Sequence, residues 1–361
     1  MSDMHMDSLP QFSRHSTADE VADALSEYMK GKNVVITGTS LNGVGFNAAQ
    51  AIAKYASLVI ITGYNADRLK ASENAIRKEM PSANIRSLTL DLSSLTKIRE
   101  AADEVNSYPE PIHVLIHNAA AAIVPLKLTE DNFDRQIATA HIGPFLFTKL
   151  IADKILASAT TSISNYIPRV VMVASRGHTG TSDMNFELFK RLDDAEAEAQ
   201  SNLKYLKAMN GFEIYFQAKS ANVLFAKELV RRSGGRINAF SLHPGEVLTN
   251  IALKEESKDS FIASGTNVEI LSRNQSLIFA GTLNADGTVN TERWDWKTLA
   301  EGAATTVAAA FDPRLDDVPG AYLVDCNVTE VAPHCDDPAN AEKLWVVTEE
   351  GIGERFTFQN V

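Results

Sequence analysis

Tyr215 and Lys219 are the two residues of this chain whose types and spacing best suit proton transfer. They stand four positions apart in the helix-like segment YFQAKSAN, so both side chains lie on one face of the helix. A phenol with a pKa of about 10 is a poor acid or base at neutral pH, and an adjacent ammonium lowers that pKa. We therefore expect Tyr215 to be an acid/base tuned by Lys219, although amphipathic helices also carry such pairs by chance.

Ser175 is a third candidate, at the end of the strand-like run VMVASRG. The nucleophile elbow of a hydrolase requires G-x-S-x-G, and Val173 stands in place of its first glycine. Beside a phenol, a serine can instead hold a carbonyl oxygen while the phenol protonates it. The plain structural alternative is a serine that caps the following turn. The sequence thus favours carbonyl chemistry over acyl transfer.

A glycine-rich loop lies between a strand and a helix in NVVITGTSLNGVGFNAAQAIAKY, residues 33–55. The spacing of Gly38 and Gly43 fits the first half of a triphosphate-binding loop. Val44 and Gly45, however, occupy the positions of the lysine and hydroxyl that such a loop requires. The helix that opens near Val44 offers free N–H groups and a partial positive charge, which suit a diphosphate. An ordinary tight strand-to-helix turn is the alternative.

Short apolar runs alternate with longer helical patterns along the chain. The predicted strands cover residues 34–36, 57–65, 85–92, 112–120, 169–175, 237–245 and 320–326. The predicted helices cover residues 17–30, 66–80, 94–107, 129–158, 212–232, 294–311 and 337–353, besides the helix that opens near Val44. This alternation predicts an α/β fold with a doubly wound parallel sheet, covered by helices on both faces in three layers.

Gly38, Asn118, Ser175 and Pro244 each stand just after a predicted strand. The carboxyl ends of parallel strands share one edge of a sheet, and ligands bind there near the point where strand order reverses. We therefore expect these four residues to converge on one edge.

Composition and charge exclude several classes of protein. The 361 residues are 45% hydrophobic and 22% charged, as in a globular protein, and their net charge of -12 argues against nucleic acid or an anionic membrane as the main partner. No run of about 18 apolar residues predicts a transmembrane helix, and the first 33 residues have no signal-peptide core. Cys326 and Cys335 are too few for a disulfide framework. We expect a cytoplasmic protein without stable membrane insertion.

The order of these segments resembles that of the short-chain dehydrogenases/reductases. That family has a glycine-rich opening after its first strand, Asn-Ala-Gly after the fourth, a serine after the fifth, Tyr-x-x-x-Lys on the next helix and Pro-Gly after the sixth strand. Here these segments read TGTSLNGVG, HNAA, VAS, YFQAK and HPGEVLT, in order, across roughly residues 30–250. YFQAKSANVLFAKELV is similar to the branch that contains retinol dehydrogenases. The resemblance implies a Rossmann-type fold with an extended substrate loop and a C-terminal extension.

The resemblance also implies roles for individual residues. Tyr215 would donate or accept the proton, Ser175 would hold the carbonyl, and Lys219 would lower the Tyr215 pKa and bind the nicotinamide ribose. The implied cofactor-binding residues are Gly38, Ser40, Gly43, Val44, Gly45, Tyr64, Asn65, Asp91, Leu92, Asn118, Ala119, Tyr215, Lys219, Pro244, Gly245, Val247 and Thr249. The cofactor carries the hydride chemistry, and no metal is expected.

The implied domain organisation is an N-terminal extension, residues 1–30, followed by a single dinucleotide-binding catalytic domain, residues 31–361. We expect residues 1–16 to be loose and Ser16 or Thr17 to cap the first helix. A substrate-loop insertion is expected at about residues 251–295, since loops of that length are often lids. Its candidate apolar lid residues are Phe261, Ile262, Leu271, Ile278 and Phe279.

Three features depart from the family pattern. Four residues rather than three separate Gly38 from Gly43, and the Asn-Ala-Gly stretch ends in Ala120. In IATAHIGPFLFTKL, Ala140 occupies the position of the asparagine that usually holds a water for proton relay to the lysine. Either another group holds that water, with the hydroxyl of Thr139 as a guess, or turnover is slow.

Cofactor choice depends on the end of the second strand, TGYN. Family members that prefer NAD usually carry an acid there, which binds the ribose 2′-hydroxyl. Gly63 removes the carboxylate that would repel a 2′-phosphate, whereas Tyr64 stands where related NADP-dependent enzymes often have arginine. We expect NADP(H) to be preferred over NAD(H).

Three functions compete. The leading one is NADP-dependent interconversion of a carbonyl and an alcohol, on a small apolar substrate whose identity and reaction direction the sequence leaves open. The second is a dinucleotide-binding sensor or scaffold with impaired catalysis, suggested by Ala140. The third is a serine hydrolase. Whether the chain forms a homo-oligomer also stays open.

Overall fold

The computed structural model describes residues 9–161, 166–192, 206–247 and 295–358, with residues 256, 284, 288 and 290–292. Most of the predicted substrate-loop insertion lies outside the described residues. So do Thr249 and the five candidate lid residues, Phe261, Ile262, Leu271, Ile278 and Phe279.

Eight strands form one sheet in the order β3-β2-β1-β4-β5-β6-β7-β8. The strands are β1 (Asn33–Ile36), β2 (Leu58–Gly63), β3 (Ile85–Thr89), β4 (Val114–His117), β5 (Arg169–Val173), β6 (Asn238–His243), β7 (Tyr322–Val324) and β8 (Asn327–Thr329). The first seven are parallel, and β8 runs antiparallel to β7. Strand order reverses between β1 and β4, which makes their carboxyl ends the expected ligand-binding crevice.

The described part of the chain has twelve α-helices with defined bounds and one π-helix. The helices are α1 (Ala18–Ala24), α2 (Ser26–Met29), α3 (Val44–Ala53), α4 (Ala66–Glu79), α5 (Leu95–Ser107), α6 (Arg135–Ile137), α7 (Gly143–Leu150), α8 (Ala152–Thr161), α9 (Gly211–Arg232), α10 (Leu299–Phe311), α11 (Pro333–Asp336) and α12 (Pro338–Ile352). The π-helix, Ala138–Ile142, lies between α6 and α7.

The helices bury two separate apolar faces of the sheet. One core lies between the sheet and α1, α3, α4 and α10. The other lies between the opposite face and α5, α7, α9 and α12. Because β1, β4 and β5 are apolar on both faces, their sequences are continuous Val/Ile/Leu runs. The predicted three-layer, Rossmann-type α/β fold is confirmed.

The long helix predicted at residues 129–158 is wrong in its start and its continuity. The helical region begins only at Arg135, where the Asp134 side chain accepts hydrogen bonds from the N–H groups of the first turn. It then passes through the π-helix before α7 and α8. Pro144 at the start of α7 has no N–H, so the regular α-helical bond to residue 140 cannot form there.

The described part of the N-terminal extension, residues 9–30, is more ordered than the sequence suggests. Thr17 caps α1 in a capping box with Glu20, as expected. The prediction that residues before it are loose is wrong for 9–16, since Phe12 is buried and its carbonyl accepts a 3.1 Å bond from Asn327. Both cysteines are free and buried. Among the described residues, none of the helices is long and apolar enough to cross a membrane.

Candidate active site

The glycine loop after β1 is folded against the segment that follows β4. Asn118 donates from Nδ2 to the carbonyls of Thr37 and Gly38, both at 3.0 Å. A Cβ on Gly38 would lie 2.7 Å from Ala119 Cα, and one on Gly45 would lie 2.2 Å from Asn118 Nδ2. Glycine is therefore required at both positions for the loops to approach this closely. Asn118 holds the glycine loop in place, a contact that the sequence did not predict.

The N-terminus of α3 is the part of this loop suited to a diphosphate. Gly43 precedes α3 and provides no side-chain cap, whereas α4 and α5 are capped by Asn65 and Ser94. The uncapped N–H groups and the helix dipole favour an anion. Asn42 adopts a φ of +60°, a conformation that asparagine tolerates better than most residues. This conformation accommodates the fourth residue between Gly38 and Gly43, where the family pattern has three.

The adenine side of the predicted cofactor site lies at the ends of β2 and β3. Tyr64 is 61% exposed, so its ring is accessible to a ligand. The Asn65 side chain caps α4 by accepting from the N–H of Arg68. Asp91 accepts two bonds from Ser93, and the Leu92 side chain is buried in the core. Leu92 could therefore face a cofactor only through its backbone.

The segment after β6 contains the remaining cofactor candidates. Gly245 has a φ of +95°, and the Lys297 side chain crosses it so closely that a Cβ would lie 2.5 Å from Lys297 Cδ. Val247 packs against Gly302 of α10 and belongs to the partly buried layer of the core. Its side chain thus has a packing role beside the predicted site.

Ser175 and Tyr215 meet at the carboxyl end of β5. The two hydroxyls are hydrogen-bonded, and Ser175 Oγ also accepts a 3.0 Å bond from the N–H of Gly177. A Cβ on Gly177 would lie 2.9 Å from the Tyr215 ring, so glycine allows this approach. On the other side, α9 is fixed at its start by a capping box between Asn210 and Glu213.

Lys219 is buried beneath this pair, with 4% of its surface exposed. Its ammonium donates a 2.8 Å bond to the carbonyl of Val173 and lies 5.6 Å from the centroid of the Tyr215 ring. Burial lowers the pKa of Lys219 to about 8. The structure therefore brings together the three residues predicted to be catalytic.

The expected lowering of the Tyr215 pKa is not found. Burial raises the pKa of Tyr215 to about 12, and the hydrogen bond from Ser175 offsets only part of that rise. The physical reason is desolvation, which disfavours phenolate more than its neighbours stabilise it. In this arrangement Tyr215 is a protonated phenol at neutral pH and is suited to donate a proton.

Three further groups at the site were missed from the sequence. His178 is hydrogen-bonded through Nδ1 to the Ser175 carbonyl at 2.8 Å. Arg176 forms a 3.3 Å ion pair with Glu246, which joins the segments after β5 and β6. Asn222 reaches the backbone of Ala140 from one turn beyond Lys219. The available signal was their position, since Arg176 and Glu246 directly follow Ser175 and Gly245, whereas His178 and Asn222 lie three residues after Ser175 and Lys219.

The comparisons with known proteins agree with this architecture. The family model described as short chain dehydrogenase matches residues 32–176. Short-chain dehydrogenase TIC 32 A, chloroplastic, from Brassica napus is 31% identical over 333 residues, which cover 91% of each chain. The chain belongs to the short-chain dehydrogenase family. It is therefore an NAD(P)-dependent dehydrogenase/reductase.

Other relatives place this short-chain dehydrogenase near the retinol-dehydrogenase-like branch, as predicted. Human retinol dehydrogenase 14 is 29% identical, with 90% of this chain and 87% of that protein covered. The WW domain-containing oxidoreductase of Danio rerio is 31% identical, with 91% and 70% covered. A solved structure of an uncharacterized protein from Mycobacterium Paratuberculosis has a TM-score of 0.61 at 24% identity, covering 92% and 98% of the two chains, and supports the fold.

Proposed function

We propose that this short-chain dehydrogenase interconverts a carbonyl and an alcohol with NADP(H), and that Tyr215 transfers the proton. The observation that supports this most is the contact between Ser175 and Tyr215 above a buried Lys219, on the sheet edge that also carries the uncapped start of α3. Oxidoreductase chemistry requires a proton donor and a nicotinamide on the same edge, and this edge offers both a phenol and a diphosphate site.

In the direction of reduction, the substrate oxygen would accept hydrogen bonds from Ser175 and Tyr215. When bound, the nicotinamide supplies the hydride to the carbonyl carbon. Tyr215 gives its proton to the oxygen, which leaves an alcohol and a phenolate. The Lys219 ammonium lies 5.6 Å from the ring centroid and stabilises that phenolate until the proton is replaced from solvent.

Two features at the end of β2 support NADP(H) over NAD(H). Gly63 leaves no carboxylate to repel a 2′-phosphate. Arg68 is exposed in the first turn of α4, three positions after the capping Asn65, and could supply the positive charge that Tyr64 does not. We include Arg68 in the proposed cofactor site for this reason.

We also propose an apolar aldehyde or ketone as the substrate, in keeping with the retinol dehydrogenases among the relatives. The described residues line a half-open pocket of about 510 Å³ between residues 180–187 and the start of α9. None of Ser175, Tyr215 and Lys219 lines it, so we do not assign it to the substrate.

We also propose that residues 31–361 form one catalytic domain and that the protein is located in the cytoplasm. Imaging of a tagged full-length chain tests the location.

The test is NADPH consumption by the purified protein with a panel of apolar aldehydes and ketones. Tyr215→Phe should lower kcat at least about 100-fold, the range for a lost general acid. Tyr55→Phe is the matched control, because Tyr55 also loses a hydroxyl but bonds Asp23 beyond the far end of α3. Cofactor binding without consumption by the unaltered protein would instead indicate a sensor or scaffold. An unchanged kcat in Tyr215→Phe would contradict the assigned role.

A further inference from the structure

The Ala140 carbonyl has an unusual bonding environment. It lies in the π-helix Ala138–Ile142, and its regular α-helical partner would be the N–H of residue 144. Residue 144 is proline, which has no N–H. The carbonyl accepts instead a 2.6 Å hydrogen bond from Nδ2 of Asn222. A side chain from α9 thus supplies a hydrogen bond in place of the missing α-helical one.

Asn222 lies close to Lys219 along α9. It follows Lys219 by three positions on α9, so both side chains lie on one face, separated by less than one turn. Asn222 is 2% exposed and Lys219 is 4% exposed. Each donates to a backbone carbonyl, Asn222 to Ala140 and Lys219 to Val173. The two bonds fix this face of α9 against the π-helix and against β5.

We propose that Asn222 is a positioning residue that, by anchoring α9 to the Ala140 carbonyl, holds Tyr215 and Lys219 at their working positions against Ser175 and β5. The inference rests on the proposed function in that it takes Lys219 and Tyr215 as the acid/base pair. It assigns to Asn222 a role beyond packing. Without the Asn222 bond, α9 is free to shift along the π-helix, and Tyr215 and Lys219 move together relative to Ser175 and the cofactor site.

The direction of the effect follows from the hydrogen bond between Ser175 and Tyr215, which lowers the pKa of Tyr215. If α9 shifts away from β5, that bond is lost and the pKa of Tyr215 rises further. The limb of the kcat profile that reports Tyr215 should therefore move to higher pH. Cofactor affinity should fall as well, since the family resemblance implies that Lys219 binds the nicotinamide ribose. A role in packing alone would lower stability without moving the pH profile.

The test compares Asn222→Leu, which keeps the number and branching of the side-chain heavy atoms but cannot donate, with Ser220→Ala. Ser220 is a matched control because it is fully buried, adjacent to Lys219, and bonded to His334 of α11 at 2.9 Å rather than to the π-helix. In Asn222→Leu we expect kcat to fall about tenfold and the Kd for NADPH to rise about threefold, as for loss of one hydrogen bond. Ser220→Ala should stay within about twofold of the unaltered protein in both.

Pro144→Ala provides a second, independent variant that leaves Asn222 in place. It restores an N–H at residue 144, which can compete with Asn222 for the Ala140 carbonyl. We expect shifts in the same directions but smaller than those of Asn222→Leu. If Asn222→Leu does not fold, unchanged kcat, pH profile and Kd in Pro144→Ala would overturn the inference.

The readouts separate failure of this inference from failure of the proposed function. If the unaltered protein turns over carbonyls and Asn222→Leu behaves like Ser220→Ala, only the role of Asn222 is wrong. If the unaltered protein binds NADPH but consumes none, the proposed function is wrong. In that case the Kd for NADPH alone tests the role of Asn222, because equal Kd values in Asn222→Leu and Ser220→Ala would overturn the positioning role.

Discussion

Gly45→Ala is the sharpest test of how the glycine loop is built. An alanine Cβ at this position would lie 2.2 Å from Asn118 Nδ2 and 2.7 Å from the carbonyl oxygen of Gly38. Both distances are far shorter than a van der Waals contact. The Asn118 amide must therefore move, and its bonds to the Thr37 and Gly38 carbonyls are lost together.

The expected cost has two parts. Each lost hydrogen bond contributes about 1 kcal/mol, and overpacking of a tight site adds about 1–3 kcal/mol. We therefore expect Gly45→Ala to lower the free energy of unfolding by about 3–5 kcal/mol. Cofactor affinity should fall as well, since Gly45 belongs to the first turn of α3, where the N–H groups face the proposed diphosphate.

The assay is urea unfolding followed by circular dichroism, with Gly43→Ala as the matched control. Gly43 has an extended φ of -125°, and an added Cβ would meet only the Ser40 carbonyl at 3.1 Å. Its cost should be about 1 kcal/mol or less. In an Asn118→Ala background, Gly45→Ala should cost less stability, because the Asn118 amide, one of the two groups that clash with the added Cβ, is absent. A loss within about 1 kcal/mol in Gly45→Ala itself would refute this account of the loop.

Two further predictions concern charge. Burial lowers the pKa of Lys219 to about 8, below its ordinary 10.5, so the unfolded chain binds this proton more tightly than the folded chain does. The free energy of unfolding should therefore rise with pH between about 8 and 10.5, by about 3 kcal/mol relative to Lys219→Met. A difference in the free energy of unfolding between the two proteins that stays constant with pH would contradict this. Arg68→Glu should shift the ratio of Kd values for NADP and NAD at least about tenfold toward NAD. Lys78→Glu, about 15 Å along the same helix, should leave that ratio unchanged in fluorescence titrations, and equal shifts would exclude a local role for Arg68.

The sequence predicted those parts of the fold that depend on local pattern. Continuous apolar runs identify buried parallel strands, and Thr17 with Glu20 predicts the start of α1. The hairpin from β7 to β8 was missed because its turn, Asp325 and Cys326, contains no glycine although both residues have positive φ. Local pattern does not reveal a left-handed turn made by such residues.

The sequence predicted which residues form the site but not the direction of the Tyr215 pKa shift. The end of β5 and the face of α9 bring Ser175, Tyr215 and Lys219 together, as the order of elements implied. The direction of the Tyr215 pKa was wrong because burial depends on packing between distant elements. The bond from Asn222 to Ala140 joins residues 82 positions apart, so no local pattern could predict it.

Backbone carbonyls accept several of the anchoring bonds around this site. Lys219 donates to the carbonyl of Val173, Asn222 to that of Ala140, and Asn118 to those of Thr37 and Gly38. Every residue type has a carbonyl, so the identity of the side chain at 140 does not decide whether this acceptor is present. What decides it is the backbone path, which the π-helix and Pro144 set. Loss of the asparagine at 140 is therefore compatible with an intact acid/base pair, provided that α9 carries the donor.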